Sequence, residues 1–174
     1  VFTARCAECH GNYETREYPN RRIPIDEIGT DPVRLTALSV EGRSKYANSW
    51  FAHATTDEKH TTVVDPDGYV APPLDGVWAS PPYFHNGSVP TLWHVLNSDD
   101  RPTVWRPVSE EIDDTRVGFQ IEVAERVPME QRDVAVRRSY FDTRRFGKSN
   151  AGHTFPDRLT EDEKWAVLEY LKTL

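Results

Sequence analysis

The two cysteines of this chain lie beside a histidine, in the run Cys6-Ala7-Glu8-Cys9-His10. If the segment is helical, offsets of three and four residues place the side chains of Cys6, Cys9 and His10 on one face. Two thiols at this spacing can add across the two vinyl groups of a porphyrin, while the imidazole of His10 reaches the iron. The C-x-x-C-H pattern is therefore typical of covalent haem c attachment. We predict one haem c, bound through Cys6 and Cys9, with His10 as an iron ligand.

Three other chemistries could use two thiols at this spacing. A tetrahedral zinc site needs a second pair of ligands, but the chain has no further cysteine and its other five histidines are scattered. A thioredoxin-like redox pair is expected within a βαβ unit, and a disulfide across so short a loop would stabilise the fold little. The sequence therefore favours haem attachment over all three.

The composition is that of a globular protein, with 174 residues, 37% hydrophobic residues and a net charge of −7. This length fits one domain, 1–174, which we interpret as a single c-type cytochrome domain that can be part of a longer chain. No apolar run is long enough to span a membrane. The acidic balance disfavours nucleic acid and favours a positively charged protein partner. Because haem c is attached outside the cytoplasm, we predict a periplasmic or otherwise exported protein.

Helix signals occur at both ends of the chain and between them. We predict a helix beginning near residue 32, an amphipathic helix over 41–54, a short helix after Thr91 and a C-terminal helix with a capping box formed by Thr160 and Glu163. Residues 61–90 contain six prolines and indicate loop. Segments within 103–123 are compatible with a hairpin. The predicted fold class is mainly α: a cytochrome c-like haem-wrapping domain with long proline-rich loops, one small β-hairpin and crossing terminal helices.

The identity of the second axial ligand decides between electron transfer and chemistry on small molecules. The residues alone leave several candidates open. His153 lies in the small-residue loop "SNAGH", which can approach a flat cofactor closely. The other candidates are Met129, His53, His60, His85 and His94.

Four segments carry a resemblance to a known family. The segments "CAECHG", "APPLDGVWASPPYFHNGSVPTLWHVL", "FDTRRFGKSNAGHTF" and "LTEDEKWAVLEYLKTL" together resemble the C-terminal haem domain of bacterial rubber-oxygenase-like dihaem cytochromes. The part "PPYFHNGSVPTL" is more distantly similar to dihaem cytochrome c peroxidases. This resemblance implies a cytochrome c-like fold and the distal iron ligand His153, with Met129 as the alternative.

The chain departs from these families because it contains one C-x-x-C-H motif, whereas they carry two. The half that performs oxygen or peroxide chemistry is missing, so the resemblance carries over no catalytic residue. It is compatible with an upstream haem domain in the same gene product.

The needs of a bound haem indicate further residues around it. In small cytochromes c, a proline carbonyl about a dozen residues after the proximal histidine accepts its outer N–H, which indicates Pro24 here. We expect His85 to brace the pocket, and Trp78 and Tyr83 to line it or to belong to an aromatic core. Four arginines could neutralise the propionates or form a solvated face; they are Arg137, Arg138, Arg144 and Arg145.

We therefore predict a monohaem electron-transfer domain with a six-coordinate iron and an unidentified redox partner protein, and we regard catalytic activity as the less favoured reading. The alternative is a haem enzyme, peroxidase-like or dioxygenase-like, or a fragment of a dihaem enzyme, with a labile sixth ligand. A third reading is a docking module whose haem is structural.

Overall fold

The computed structural model of the protein describes residues 1–53 and 63–174. Within this part, short helices alternate with loops and two small sheets, and 3₁₀ turns lie at 50–53, 77–79, 98–100 and 155–158. The α-helices are α1 (Phe2–Arg5), α2 (Ala7–His10), α3 (Ile25–Ile28), α4 (Val33–Thr36), α5 (Val40–Ala47), α6 (Leu92–Leu96), α7 (Val134–Ser139) and α8 (Glu161–Leu171). None of the helices in the described ranges has the length and apolar composition that crossing a membrane requires.

The strands form two antiparallel sheets. They are β1 (Arg22–Pro24), β2 (Gly68–Val70), β3 (Val104–Asp113), β4 (Gly118–Ala124) and β5 (Phe141–Asp142). Strand β1 pairs with β2, and a second sheet has the order β4-β3-β5. Strands β3 and β4 make a hairpin whose register shifts between Pro107 and Ile112, where proline cannot donate a ladder hydrogen bond.

The hydrophobic core lies where the two ends of the chain meet α6. The ring of Phe2 lies 4.9 Å from that of Tyr170, and Trp93 stacks on Trp165 with a centroid distance of 4.2 Å. The apolar stripe of α8 supplies buried residues, which are Val167, Leu168 and Leu171. Side chains from the two ends of the chain therefore pack together, and the crossing of the terminal helices stays a prediction.

The prediction of a mainly α fold is wrong, because the described residues form a mixed structure of helices and two antiparallel sheets. Helices α1 to α4 have only four residues each. Gly11 and Gly29 take positive φ directly after α2 and α3, which ends these helices early. By contrast, β3 and β4 extend the predicted hairpin over ten and seven residues.

Four predicted helices are present, one of them shorter than expected. Helix α4 begins at Val33, whose N–H donates to Asp31 Oδ1 over 2.9 Å, and the capping box of α8 is complete. Helix α5 ends at Ala47 and has no buried residue. The side chains of Tyr46 and Trp50 are 57% and 84% exposed, so they do not form a core stripe.

Candidate metal centre

The haem motif adopts the predicted helical turn at the α1–α2 junction. The N–H groups of Cys9 and His10 both donate to the carbonyl of Cys6, over 3.2 and 3.0 Å, so the three side chains share one face. Both cysteines are free thiols. Burial raises the pKa of Cys6 to about 11, and burial also raises the pKa of Cys9. The thiols of the unmodified chain are therefore protonated at neutral pH, which disfavours metal binding by thiolate.

His10 is oriented by a backbone carbonyl that lies just after strand β2. Its Nδ1 lies 3.0 Å from the oxygen of Pro72; with the proton on Nδ1, this nitrogen donates and Nε2 is free to bind a metal. Burial lowers the pKa of His10, and the Pro72 carbonyl partly opposes that shift. The ring is therefore held neutral, as a metal ligand must be.

The prediction that Pro24 accepts this hydrogen bond is wrong. Pro24 ends β1 and pairs with Gly68. The ladder continues beyond β2, where the N–H of Ala71 donates to the carbonyl of Arg21 over 3.0 Å. This pairing carries the next residue, Pro72, to His10.

The structure brings the ring of His153 close to that of His10, in an edge-to-face arrangement. Their ring centroids lie 6.2 Å apart with an interplanar angle of 67°. Two metal–imidazole bonds of about 2 Å, plus the distance from each nitrogen to its ring centre, add up to roughly 6 Å. The spacing of the two rings therefore leaves room for one metal ion between them.

The side-chain environment of His153 also fits a ligand. Its Nδ1 is buried and has no hydrogen-bond partner among the described residues, and such groups require an explanation. Burial lowers the pKa of His153 to about 4, and the neighbouring His10 and Arg101 lower it further. Phe84 and Phe155 contact the ring edge to face, at 6.1 and 5.6 Å between centroids. A neutral imidazole in an apolar pocket is thus available to an iron.

The loop that carries His153 is held in an uncommon backbone conformation. His153 has a φ of +49°, and Gly152 before it has a φ of +80°. A Cβ on Gly152 would lie 2.2 Å from the carbonyl carbon of Gly29, so only glycine fits. The N–H of His153 donates to the carbonyl of Ile28 over 2.7 Å. The loop is thereby fixed to the end of α3.

Arg101 fixes the same loop from its other side. Its Nη1 donates to the carbonyls of Asn150 and Gly152 over 2.8 and 2.7 Å, and its Nε donates to the carbonyl of His94 over 2.8 Å. The guanidinium also lies over the ring of Phe84, 4.9 Å from its centroid. One half-buried side chain therefore connects α6, the pocket wall and the His153 loop. Sequence reasoning missed Arg101, and no local pattern marks it, because its partners are backbone carbonyls.

His85 lies next to the site through a chain of contacts. Its ring stacks on Tyr69 at 4.5 Å between centroids, and the Tyr69 hydroxyl donates to the carbonyl of Asp31 over 3.1 Å. The Asp31 carboxylate in turn accepts the N–H of Ser149 over 3.0 Å. This chain of contacts is compatible with the prediction that His85 braces the pocket, because it ends at the loop that carries His153.

The other predicted aromatic residues lie elsewhere in the fold. Tyr83 belongs to the hydrophobic core and donates from its hydroxyl to the carbonyl of Val117 over 3.3 Å. Trp78 lies on the 3₁₀ turn Val77–Ala79 and is 46% exposed. Contact of either ring with a haem remains a prediction.

The remaining candidate ligands are less suited to the site. Met129 is 69% exposed, and His94 lies in α6, where its Nδ1 is 2.7 Å from the hydroxyl of Thr91. The side chain of His53 and all of His60 lie outside the described part of the structure. Arg144 forms a two-contact ion pair with Asp142, at 2.8 and 3.0 Å, and its propionate role remains a prediction.

The side chains at this site fit a haem better than a metal ion bound by protein alone. Within 1–53 and 63–174, no three or more histidine, cysteine, aspartate or glutamate residues are grouped to hold a metal ion. A haem iron needs only two protein ligands because the porphyrin supplies the other four. His10 and His153 would provide these two, and Cys6 and Cys9 would provide the covalent links.

Comparisons with known proteins show what one segment of the chain and the chain as a whole are similar to. Residues 68–106 match the family described as "RoxA-like, cytochrome c-like", a range that includes Pro72, Phe84 and Arg101. Two proteins of Sinorhizobium fredii are similar to the chain. "Uncharacterized protein y4iJ" is 29% identical over 234 residues, covering 100% of this chain and 37% of that protein. "Uncharacterized protein y4iM" is 30% identical over 211 residues, covering 99% and 46%.

The chain spans less than half the length of these two relatives. The family match covers the segment that orients His10 and clamps the His153 loop. Residues 68–106 are therefore similar to a RoxA-like, cytochrome c-like domain, a kind of domain for which haem c is the implied cofactor.

Proposed function

We propose that the chain is a c-type cytochrome domain that carries one covalently attached haem c and transfers electrons through it. The observation that carries this proposal is the pair of imidazoles His10 and His153, with centroids 6.2 Å apart. A bound haem c would supply one-electron chemistry at its iron. Cys6 and Cys9 would anchor the cofactor, and His10 and His153 would hold its iron.

The residues around the pair favour a fixed second ligand over a labile one. The His153 loop is held by the N–H···O contact to Ile28 and by two hydrogen bonds from Arg101. A ligand held in place before the cofactor binds does not have to be ordered afterwards, which favours six-coordinate iron. With both positions filled, small molecules find no free coordination site, so the domain relays electrons to a redox partner protein.

Cytochrome c-like domains are typically exported, and we extend this to a periplasmic or otherwise extracytoplasmic location. Covalent attachment to Cys6 and Cys9 requires that environment. The proposal covers this domain alone, because the two relatives are longer than the chain, which covers 37% and 46% of them.

The first test is the ferric absorption spectrum, including the near-infrared charge-transfer bands, of protein expressed with a haem c maturation system. We expect a low-spin bis-histidine spectrum and a mass increase of one haem, which is lost when Cys6 and Cys9 are both replaced by serine. His153→Ala should give a high-spin spectrum and stoichiometric carbon monoxide binding. Met129→Leu, the control for the alternative ligand, should leave the spectrum unchanged.

Two outcomes would contradict the proposal. A wild-type protein that is high-spin and binds carbon monoxide at once has an open iron, as the enzyme alternative requires. A His153→Ala spectrum identical to wild type would remove His153 from the coordination sphere, and a changed Met129→Leu spectrum would assign the ligand to Met129.

A further inference from the structure

The charge of this acidic chain is distributed unevenly. Residues 126–148 contain seven arginine or lysine residues and three aspartate or glutamate residues, a net charge of +4. Since the whole chain has a net charge of −7, the remaining residues carry −11. A segment of opposite sign on an acidic molecule indicates a local function for that charge.

A concave surface lies within this basic segment. A cavity of about 360 Å³ opens between α7 and the loop after β5, and we call its rim the basic face. Its cationic members are Arg137, Arg138, Arg145 and Lys148. No ion pair joins any of these four to a carboxylate of the described residues, although several other basic residues are paired. Their charge is therefore available to a partner.

Apolar side chains accompany these cations. Met129 and Val134 line the same cavity and are 69% and 46% exposed. Phe146, between Arg145 and Gly147, is 90% exposed. Arginine, methionine and aromatic residues are the types enriched in protein–protein interfaces. A solvated charged surface does not need exposed methionine and phenylalanine.

The basic face is connected to the candidate iron ligand through a short, fixed loop. Lys148 and His153 are five positions apart in the sequence, so their Cα atoms are at most about 18 Å apart. The side-chain amide of Asn86 donates to the carbonyls of Gly147 and Ser149, over 3.4 and 2.8 Å. A partner bound at the basic face thus lies near the distal side of the cofactor site.

We propose that the basic face docks an acidic redox protein, and not the positively charged partner expected from the net charge of the whole chain. This inference rests on the proposed electron-transfer function and names the chemistry of its partner. Complementary charge accelerates encounter and fixes orientation, and the exposed apolar residues supply contact area. An acidic protein can confine its negative charge to the one face that contacts the basic face. Extended polyanions such as nucleic acid or an anionic membrane would also meet the remaining surface, which carries −11 and repels them.

The first experiment measures oxidation of the reduced holoprotein in a stopped-flow instrument. One electron passes from the protein to ferricyanide, which becomes ferrocyanide, and no bond forms or breaks. We expect R137E/R138E to lower the second-order rate constant about tenfold at low ionic strength. The rate with the cationic oxidant hexaammineruthenium(III) should rise. The matched control is K45E/R158E, which reverses two exposed charges outside the basic face and should change the ferricyanide rate less than twofold.

A second experiment does not depend on redox activity. Nuclear magnetic resonance titration of the reduced holoprotein with poly-glutamate, as an acidic polypeptide, should shift amide signals within 126–148. If the double variant folds poorly, the single variant R138E, which replaces one exposed residue, is used in its place. It should weaken the binding of poly-glutamate about threefold or more. Phosphatidylglycerol vesicles and duplex DNA should bind more weakly than poly-glutamate.

The outcomes separate this inference from the proposed function. If neither oxidant reacts but poly-glutamate binds at 126–148, electron transfer fails and the acidic-partner surface stands. Equal rate losses in the two double variants, or shifts spread over the whole surface, would overturn the docking surface. Tighter binding of vesicles or DNA would assign the basic face to a different class of partner.

Discussion

Two histidines, His94 and His153, have similarly lowered pKa values but different surroundings, and His94 is buried whereas His153 is half-buried. Burial lowers the pKa of each to about 4, so both rings are neutral. The Nδ1 of His94 lies 2.7 Å from the hydroxyl of Thr91, in the helix whose N-terminus Thr91 caps. The Nδ1 of His153 has no partner among the described residues, and its ring centroid lies 6.2 Å from that of His10. Burial alone therefore does not make a histidine a candidate ligand, whereas an unpaired ring nitrogen in a ring beside a second imidazole does.

The two residues also differ in what holds them. His94 is 3% exposed and is held by its own helix. His153, with φ of +49°, depends on contacts from segments distant in sequence. Arg101 connects the two, because its Nε binds the carbonyl of His94 and its Nη1 binds that of Gly152. The His153 loop is therefore expected to be more sensitive than the helix around His94 to the loss of the hydrogen bonds from Arg101.

The largest expected effect follows the replacement of Arg101 by alanine. The change leaves carbonyls near the core without a charged donor, so we expect a loss of about 3 kcal/mol or more in the free energy of unfolding. Arg101→Lys should restore less than half, since an ammonium lacks the planar fork. Urea unfolding measures the loss. Hydrogen exchange should show the amide of His153 losing more protection than that of His94.

Equal loss of protection at the two amides would contradict the distinction between a clamped loop and a self-supporting helix. In the holoprotein, Arg101→Ala should also shift the low-spin signal. A purely structural role for Arg101 would lower stability and leave the spectrum unchanged.

A smaller effect concerns the pH dependence of stability through His94. Its folded pKa of about 4 lies below its unfolded value of about 6.5. Burial is the main cause, Arg116 and Arg101 add to it, and Asp100 and Asp113 oppose it. Below pH 6.5 the unfolded chain gains a proton that the folded chain does not. The stability that His94 contributes is therefore complete above pH 6.5 and falls by about 3 kcal/mol as the pH drops to 4.

His94→Gln removes this titration and keeps a side chain that can bond to Thr91. We expect its free energy of unfolding to change less than that of wild type between pH 6.5 and 4, measured by urea unfolding of the holoprotein. Parallel curves for the two proteins would show that His94 is not the group responsible.

The smallest expected effect compares two glycines with positive φ. Gly152→Ala places a Cβ 2.2 Å from the backbone of Gly29, whereas at Gly76 no atom lies within 4 Å of the added Cβ. Gly76→Ala, which reports backbone strain alone, should cost about 1 kcal/mol. Gly152→Ala should cost about 2 kcal/mol or more, because overpacking adds to the strain. Thermal unfolding measures both, and equal costs would show that the loop does not need this close approach.

Local features of the fold could be predicted from sequence. The turn that places Cys6, Cys9 and His10 together, the cap at Thr91 and the capping box of α8 depend on hydrogen bonds between residues at most four apart. The hairpin was predicted because strand patterning and turn residues are also local signals. The prediction of the fold class failed, because tertiary packing determines how short the helices and how long the strands become.

The sequence by itself determined the predicted place of haem attachment, because the spacing of two thiols and an imidazole on one helical turn is a property of the turn. Only the tertiary structure decided which imidazole faces His10, that the acceptor is Pro72 and not Pro24, and that Arg101 holds the distal loop. These contacts join residues that are 143, 62 and 51 positions apart in the sequence. Such pairs are selected by the free energy of the whole packed chain, which no short pattern contains.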